Sequence, residues 1–205
     1  MTGLPMFPLG TVLFPSLFLP LHIFEPRYRQ LARHCMDGDR EFGVVLIERG
    51  SEVGGDDVRT SVGTVARILD ATELDDGRWV LGTVGTRRIR VTQWLPDDPY
   101  PQATVEDWDD PVPGAEAQRR YQDVVATLRR VLAQKAELAE PAAAATIELS
   151  DDPALGSFQV AAVAPIGPAD QQRVLVADGP DQRLDVLELL LAEESDYLAA
   201  RLQLG

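Results

Sequence analysis

The chain has 205 residues, 45% of them apolar and 25% charged. This is a globular composition that argues against wholesale disorder and fits one large domain or two modest ones. Nineteen basic against thirty-three acidic residues leave a net charge of −14, spread evenly as −7 over residues 1–110 and −7 over 111–205. A phosphate backbone is repelled by such a chain unless a local patch overcomes the global field, so nucleic acid is disfavoured as a partner. The lone cysteine, Cys35, excludes an intramolecular disulfide and leaves no paired ligand spacing for zinc, so no metal and no cofactor is expected.

The opening stretch reaches Glu25 before its first charged side chain. It lacks the positive start of a signal peptide, and Pro5, Pro8, Pro15 and Pro20 break any membrane span. A soluble, cytoplasmic protein with no membrane partner is expected. Residues 4–24 (LPMFPLGTVLFPSLFLPLHIF) read as short extended pieces between prolines. Leu19, Leu21 and Ile23 alternate with Pro20, His22 and Phe24, the period of a strand. Pro26 then suits the first position of a helix over 26–37, with Gly38 placed to end it.

Phe42–Ile47 (FGVVLI) is a continuous apolar run, consistent with a buried strand, and the polar, glycine-rich residues 48–59 form a loop. Further strands are read at 61–69, 79–84, 87–95 and 102–108, with Asp75–Asp76–Gly77 as a hairpin turn between 66–74 and 78–84. In the third of these, Ile89 and Val91 share one face, and Arg88 and Arg90 the other.

The composition shifts at residues 109–114 (DDPVPG), dividing a β part, 1–110, from a helical part, 111–205. In residues 115–138, Tyr121, Val124, Val125, Leu128, Val131, Leu132 and Leu138 follow a helical spacing. Alanine-rich 141–149 predicts a short helix after Pro141. Asp152–Pro153 starts another that closes at Pro165, Pro168 opens one over about 169–177, and a last helix spans 181–203. The last carries the stripe Leu184, Leu187, Leu191, Leu198 and Leu202, interrupted at Glu194. The fold class is α+β: a mostly antiparallel β subdomain with one early helix, followed by a helical bundle.

Three blocks carry a resemblance: LPMFPLGTVLFPSLFLPLHIFEPRYRQL, then VGTVARILDATELDDGRWVLGTVGTRRIRV, then SDDPALGSFQVAAVAP before a leucine-rich helix. Together they are similar to the amino-terminal substrate-recognition domain of the Lon protease, over nearly the whole chain. The resemblance implies a PUA-like β-barrel with a carboxy-terminal helical bundle, and recognition of unfolded or damaged polypeptide. Lon proteases continue into an ATPase module with a G-x-x-x-x-G-K-[ST] loop and a protease module with a Ser–Lys dyad. This sequence holds no Gly-Lys pair and one lysine, Lys135. It therefore resembles stand-alone Lon-domain proteins, and a non-catalytic adaptor or regulator of proteolysis is expected, working with a protease or ATPase in trans.

The chemistry-bearing candidates are weighed on that footing. Adjacent residues on a helix diverge by about 100°, so His34 and Cys35 cannot form a thiolate–imidazole pair, and no serine sits in a G-x-S-x-G elbow. Cys35 reads as a small, half-buried hydrophobe and catalytic residues as none. A hydrolase would need His22, His34 and Cys35 to converge. The segment from Glu25 to Arg29 has a structural reading, Glu25 at the helix N-terminus with Arg29 in reach four residues on, and a functional one as the polar rim of a cleft.

Arg87, Arg88 and Arg90 form the densest basic cluster, the alternative being an RNA- or small-molecule-binding barrel. No aromatics interleave with them in sequence, and we read a solvated face with local ion pairs. Gly82 and Gly85 match a GxxG spacing, but between strands rather than helices. The most informative residues are the aromatics of the proline-broken segment. Most must be core, yet period-2 geometry places some on the opposite face, where apolar surface binds polypeptide. The residues assigned to that surface are Phe14, Phe18, His22, Phe24, Glu25, Arg27 and Tyr28.

Overall fold

The computed structural model describes residues 3–49 and 58–204. In chain order it runs β1 (Leu4–Leu9), β2 (Phe18–Ile23), α1 (Pro26–Asp37), β3 (Glu41–Arg49), β4 (Val58–Glu73), β5 (Trp79–Trp94) and β6 (Gln102–Asp107). Four helices follow: α2 (Ala117–Glu137), α3 (Pro153–Val163), α4 (Pro168–Leu175) and α5 (Pro180–Leu204). The class is α+β, and the chain divides into two compact units, Met1–Asp109 and Asp110–Gly205.

The first unit is one sheet in the order β2-β5-β4-β3-β1-β6, with β6 pairing back onto β5. Five strands thus form a closed ring, and among the described residues β2 is paired to β5 alone. Among the described residues only β1 and β3 run parallel, in the register Met6↔Gly43 to Leu9↔Leu46. The apolar run of β3 is explained by burial on both of its faces. Phe42 and Val44 join a cluster with Phe7, Ile23, Leu31 and Leu81, while Val45 joins Met6, Val65, Ile89 and Ala103. Helix α1 starts at Pro26 and buries Tyr28, Leu31, Ala32 and Cys35, one stripe, against the first cluster. It ends at Gly38, whose N–H donates to the Cys35 carbonyl at 3.2 Å.

Several sequence expectations need correction. Residues 79–84 and 87–95 are one sixteen-residue strand, β5. The chain passes straight through Gly85, where a Cβ would collide with the Phe14 carbonyl; the glycine permits close approach instead of a break. β4 is also longer than the stretch read as 61–69. The hairpin turn is as read: the Gly77 and Leu74 amides donate to the Leu74 and Arg78 carbonyls, both at 2.8 Å, with Gly77 at φ +77°. Residues 50–57 of the expected loop lie outside the described residues, and 48–49 belong to β3.

In the second unit, α2 buries Tyr121, Val124, Leu128, Val131 and Leu132, and α5 buries Leu184, Leu187, Leu191 and Leu198 of the read stripe, with Leu202 only half-buried. The stripe steps around Glu194 through buried Ser195, which bonds Gln134 of α2 at 3.3 Å. Residues 141–149 are not helical. A nine-residue segment with four alanines is too short to hold a helix by propensity alone. Its end is also fixed elsewhere: Ser150 donates its amide to Gln159 at 2.7 Å and accepts the Tyr121 hydroxyl at 2.7 Å.

The centre of this unit is Arg183, fully buried. It donates to both Asp110 carboxylate oxygens at 2.8 and 2.6 Å, to the Ser157 hydroxyl at 2.9 Å and to the Ala154 carbonyl at 3.0 Å. Its guanidinium lies 3.8 Å over the Phe158 ring. A planar fork making four hydrogen bonds, two of them to one carboxylate, is how a buried cation is tolerated. Among the described residues, no helix is long and apolar enough to cross a membrane.

Candidate functional site

β2 builds the site. Its alternation turns Ile23 into the core, leaves Leu19 and Leu21 half-buried, and turns Phe18, Pro20 and His22 outward. Phe18 is 63% exposed and Phe24, next on the same alternation, 50%. Across the ladder, Val84, Gly82 and Val80 of β5 stand opposite Phe18, Pro20 and His22, and Val80 is 45% exposed. A Cβ on Gly82 would lie 3.4 Å from the Phe18 ring, so the aromatic lies over the glycine. Large apolar side chains standing together in water are the kind of patch that marks a binding surface.

Beside this strip, between β2, β1 and α1, is a cavity of about 210 Å³ whose walls include Phe7, Leu21, His22, Phe24, Glu25 and Tyr28. The His22 and Phe24 rings are 6.5 Å apart. The rim is charged but internally paired: Arg27 Nε donates to Glu25 Oε2 at 3.1 Å, and the guanidinium sits 4.5 Å over the Tyr28 ring. The expected Glu25–Arg29 pair is absent. Arg29 instead donates to the Phe24 carbonyl at 2.8 Å and the Asp76 carbonyl at 3.2 Å, tying the end of β2 to the β4–β5 turn. Backbone carbonyls fixed by both turns outcompete a mobile carboxylate already held by Arg27.

Of the residues assigned from sequence, His22, Phe24, Glu25 and Tyr28 therefore meet at the cavity, and Phe18 continues the same face along β2. Two need correction. Phe14 is 1% exposed, packed in the core, and Tyr28 is 3% exposed, a wall of the cavity rather than a surface group. Both are large and apolar, and burial outweighs display wherever the backbone allows it. Val80 was missed; its signal is the alternation of Trp79 and Leu81 about it.

The arginine stretch of β5 carries the local ion pairs read from the sequence but is less solvated than expected. Arg87 is paired, donating to Glu41 at 2.7 Å and Asp107 at 2.9 Å. Burial works to raise the Glu41 carboxyl, but the hydrogen bonds and charges of Arg87 and Arg67 outweigh it and hold it below the usual range. Arg88 is only 3% exposed. An aromatic does interleave, from β6's far end: the Trp108 ring lies 4.2 Å from the Arg88 guanidinium carbon and 3.5 Å from that of Arg90. These cations already hold their partners, which leaves Arg88 unable to reach a phosphate.

His34 and Cys35 make separate contacts. His34 Nδ1 meets the Tyr100 hydroxyl, while the Cys35 thiol donates to the Glu41 carbonyl at 3.3 Å. Burial pushes that thiol up to about 12, so at neutral pH it carries no thiolate for attack. Cys35 is wholly rather than half buried.

Comparisons with known proteins agree with this architecture. The family model of the ATP-dependent protease La (LON) substrate-binding domain matches residues 3–193. Lon protease 2 of Herpetosiphon aurantiacus is 27% identical over 199 residues, covering 95% of this chain and 24% of its own length. Lon protease of Escherichia coli K12 is 28% identical over 204 residues, covering 95% and 25%. The chain thus spans about a quarter of the length of these relatives. Among solved structures, a Lon N-terminal domain protein from Xanthomonas campestris superposes with a TM-score of 0.64 at 31% identity, over 94% of this chain and 98% of that one. The N-terminal domain of Mycobacterium avium complex Lon protease shares the fold, with a TM-score of 0.68 at 14% identity over 93% and 98%.

Proposed function

Because the chain belongs to the Lon substrate-binding domain family, we propose that it is a non-catalytic module that holds unfolded polypeptide on the outer face of β2. One observation carries this: Phe18, Phe24 and Val80 stand exposed on one face of the β2–β5 ladder, beside a largely apolar cavity, while Leu19, Leu21 and Ile23 turn to the opposite face. Apolar contact of this kind gives broad, shape-limited recognition rather than a polar code. We further infer a role as adaptor or regulator of proteolysis, handing polypeptide to a protease or ATPase in trans. A sheet closed by β6 on β5 supports reading the first unit as a PUA-like barrel. Titration of the folded chain with a permanently unfolded, carboxymethylated protein is the test. Saturable binding that a folded control does not show is expected, and no binding at any concentration would overturn the proposal.

A further inference from the structure

Beyond the side chains, β2 leaves backbone groups unmet. Residues of an antiparallel pair alternate between facing the partner strand and facing away from it. The Leu17 carbonyl accepts from Gly85 N–H at 2.9 Å, and the Leu19 carbonyl accepts from the Thr83 hydroxyl at 2.7 Å. Leu19, Leu21 and Ile23 therefore face β5, and Phe18, Pro20 and His22 direct their main-chain groups to the open side. Among the described residues no strand covers that side, since β2 ends the strand order and pairs only with β5. The open edge offers two N–H donors, of Phe18 and His22, and the carbonyls of Phe18, Pro20 and His22. Pro20, which has no N–H, sits at an outward position, where it costs the existing ladder nothing.

We propose that polypeptide is captured by strand addition: an extended segment pairs with the open edge of β2 and drops an apolar side chain into the adjoining cavity. This rests on the polypeptide-binding reading above and names its chemistry, an extended apolar segment with free backbone amides. Natural sheets guard exposed edges because they template pairing with another chain, and strand addition is a recurring mode of peptide recognition in which the backbone supplies affinity and pockets supply preference. Other ligand classes fit worse. The edge presents alternating donors and acceptors that only another backbone matches in repeat. A second copy brings its own proline to the ladder and its own net charge of −14, so self-pairing loses two donors and meets long-range repulsion.

The test uses the full chain and three synthetic peptides of the same alternating Val/Phe/Thr sequence. One is unmodified, and another is N-methylated at alternate residues so that one edge cannot donate or approach. A third peptide carries the methyl groups on the opposite set of residues. Strand addition predicts that the unmodified peptide binds, that at least one methylated register is weakened by about tenfold or more, and that the Phe18 and His22 amides become protected from hydrogen exchange on binding. Equal binding of all three peptides, without amide protection, would overturn strand addition while leaving polypeptide binding intact. No binding by any peptide or by unfolded protein would overturn both. His22→Pro removes an outward donor and is expected to abolish protection at residue 18 with the fold retained; unchanged affinity in this variant counts against the edge. A dimer in sedimentation that peptide fails to dissociate would assign the edge to a second copy and overturn the proposal.

Discussion

β2 and the arginine-bearing half of β5 lie in one sheet, and both look chemically active in sequence. In the structure they are opposites. β2 turns Phe18, Phe24 and the carbonyls of its outward residues toward water. β5 spends Arg87 on Glu41 and Asp107 and stacks Arg88 and Arg90 against Trp108. A group already matched inside the fold has little left for a partner, whereas an apolar group held in water gains by covering. The difference teaches that the absence of a partner, rather than the density of a residue type, marks the surface available for function.

The comparison breaks most visibly at its most enclosed member, Arg183. If matched arginines are structural, Arg183→Ala takes the bidentate fork from Asp110 and the donors from two helix-α3 acceptors, and should cost about 3–5 kcal/mol, read as a lower urea midpoint. A loss within error would mean that the buried fork contributes nothing. Phe14 and Phe18 sharpen the contrast among aromatics four residues apart. Phe14→Ala should cost about 3–5 kcal/mol of stability, whereas Phe18→Ala should stay within about 0.5 kcal/mol and lose polypeptide binding instead. Reversed phenotypes would exchange core and surface.

A smaller effect comes from Glu41. Its carboxyl is held low by Arg87 and Arg67, so its contribution is present above the unfolded value of about 4.3 and is lost as pH falls through the lower folded value. Glu41→Gln should therefore destabilise by up to about 1 kcal/mol at neutral pH, with the gap to the parent closing in acid; urea melts at two pH values measure it. A gap that widens in acid would contradict the sign. The smallest effect is on Cys35, whose thiol burial pushes up to about 12. An alkylating reagent at pH 8 should leave the folded protein unmodified and react only in denaturant. Its linkage has the opposite slope, stability falling as pH rises above about 8.5, where an unfolded thiol ionises.

Much of the first unit was legible because its residues obey one period. Leu19, Leu21 and Ile23 announced β2, and Pro26 with Gly38 bounded α1. What was not legible depended on contacts distant in sequence. Gly85 looks like a break until the Phe14 carbonyl is seen in the place of its Cβ. Alanines 142–145 look helical until the Tyr121 and Gln159 bonds to Ser150 are known. Phe14 lies in a loop with no period to say which way it points, so its burial could not be separated from the exposure of Phe18. Trp108 reaches the arginines across the β5–β6 ladder, eighteen residues beyond Arg90.

The central claim is that the face carrying Phe18 and Phe24 holds unfolded polypeptide. Its most direct test is the affinity of the parent chain and of the Phe18→Ser/Phe24→Ser variant for the same carboxymethylated protein, with melting temperatures recorded alongside. Matching melts with binding weakened by about tenfold or more in the variant is the predicted result. Equal affinity in the two folded proteins would contradict it.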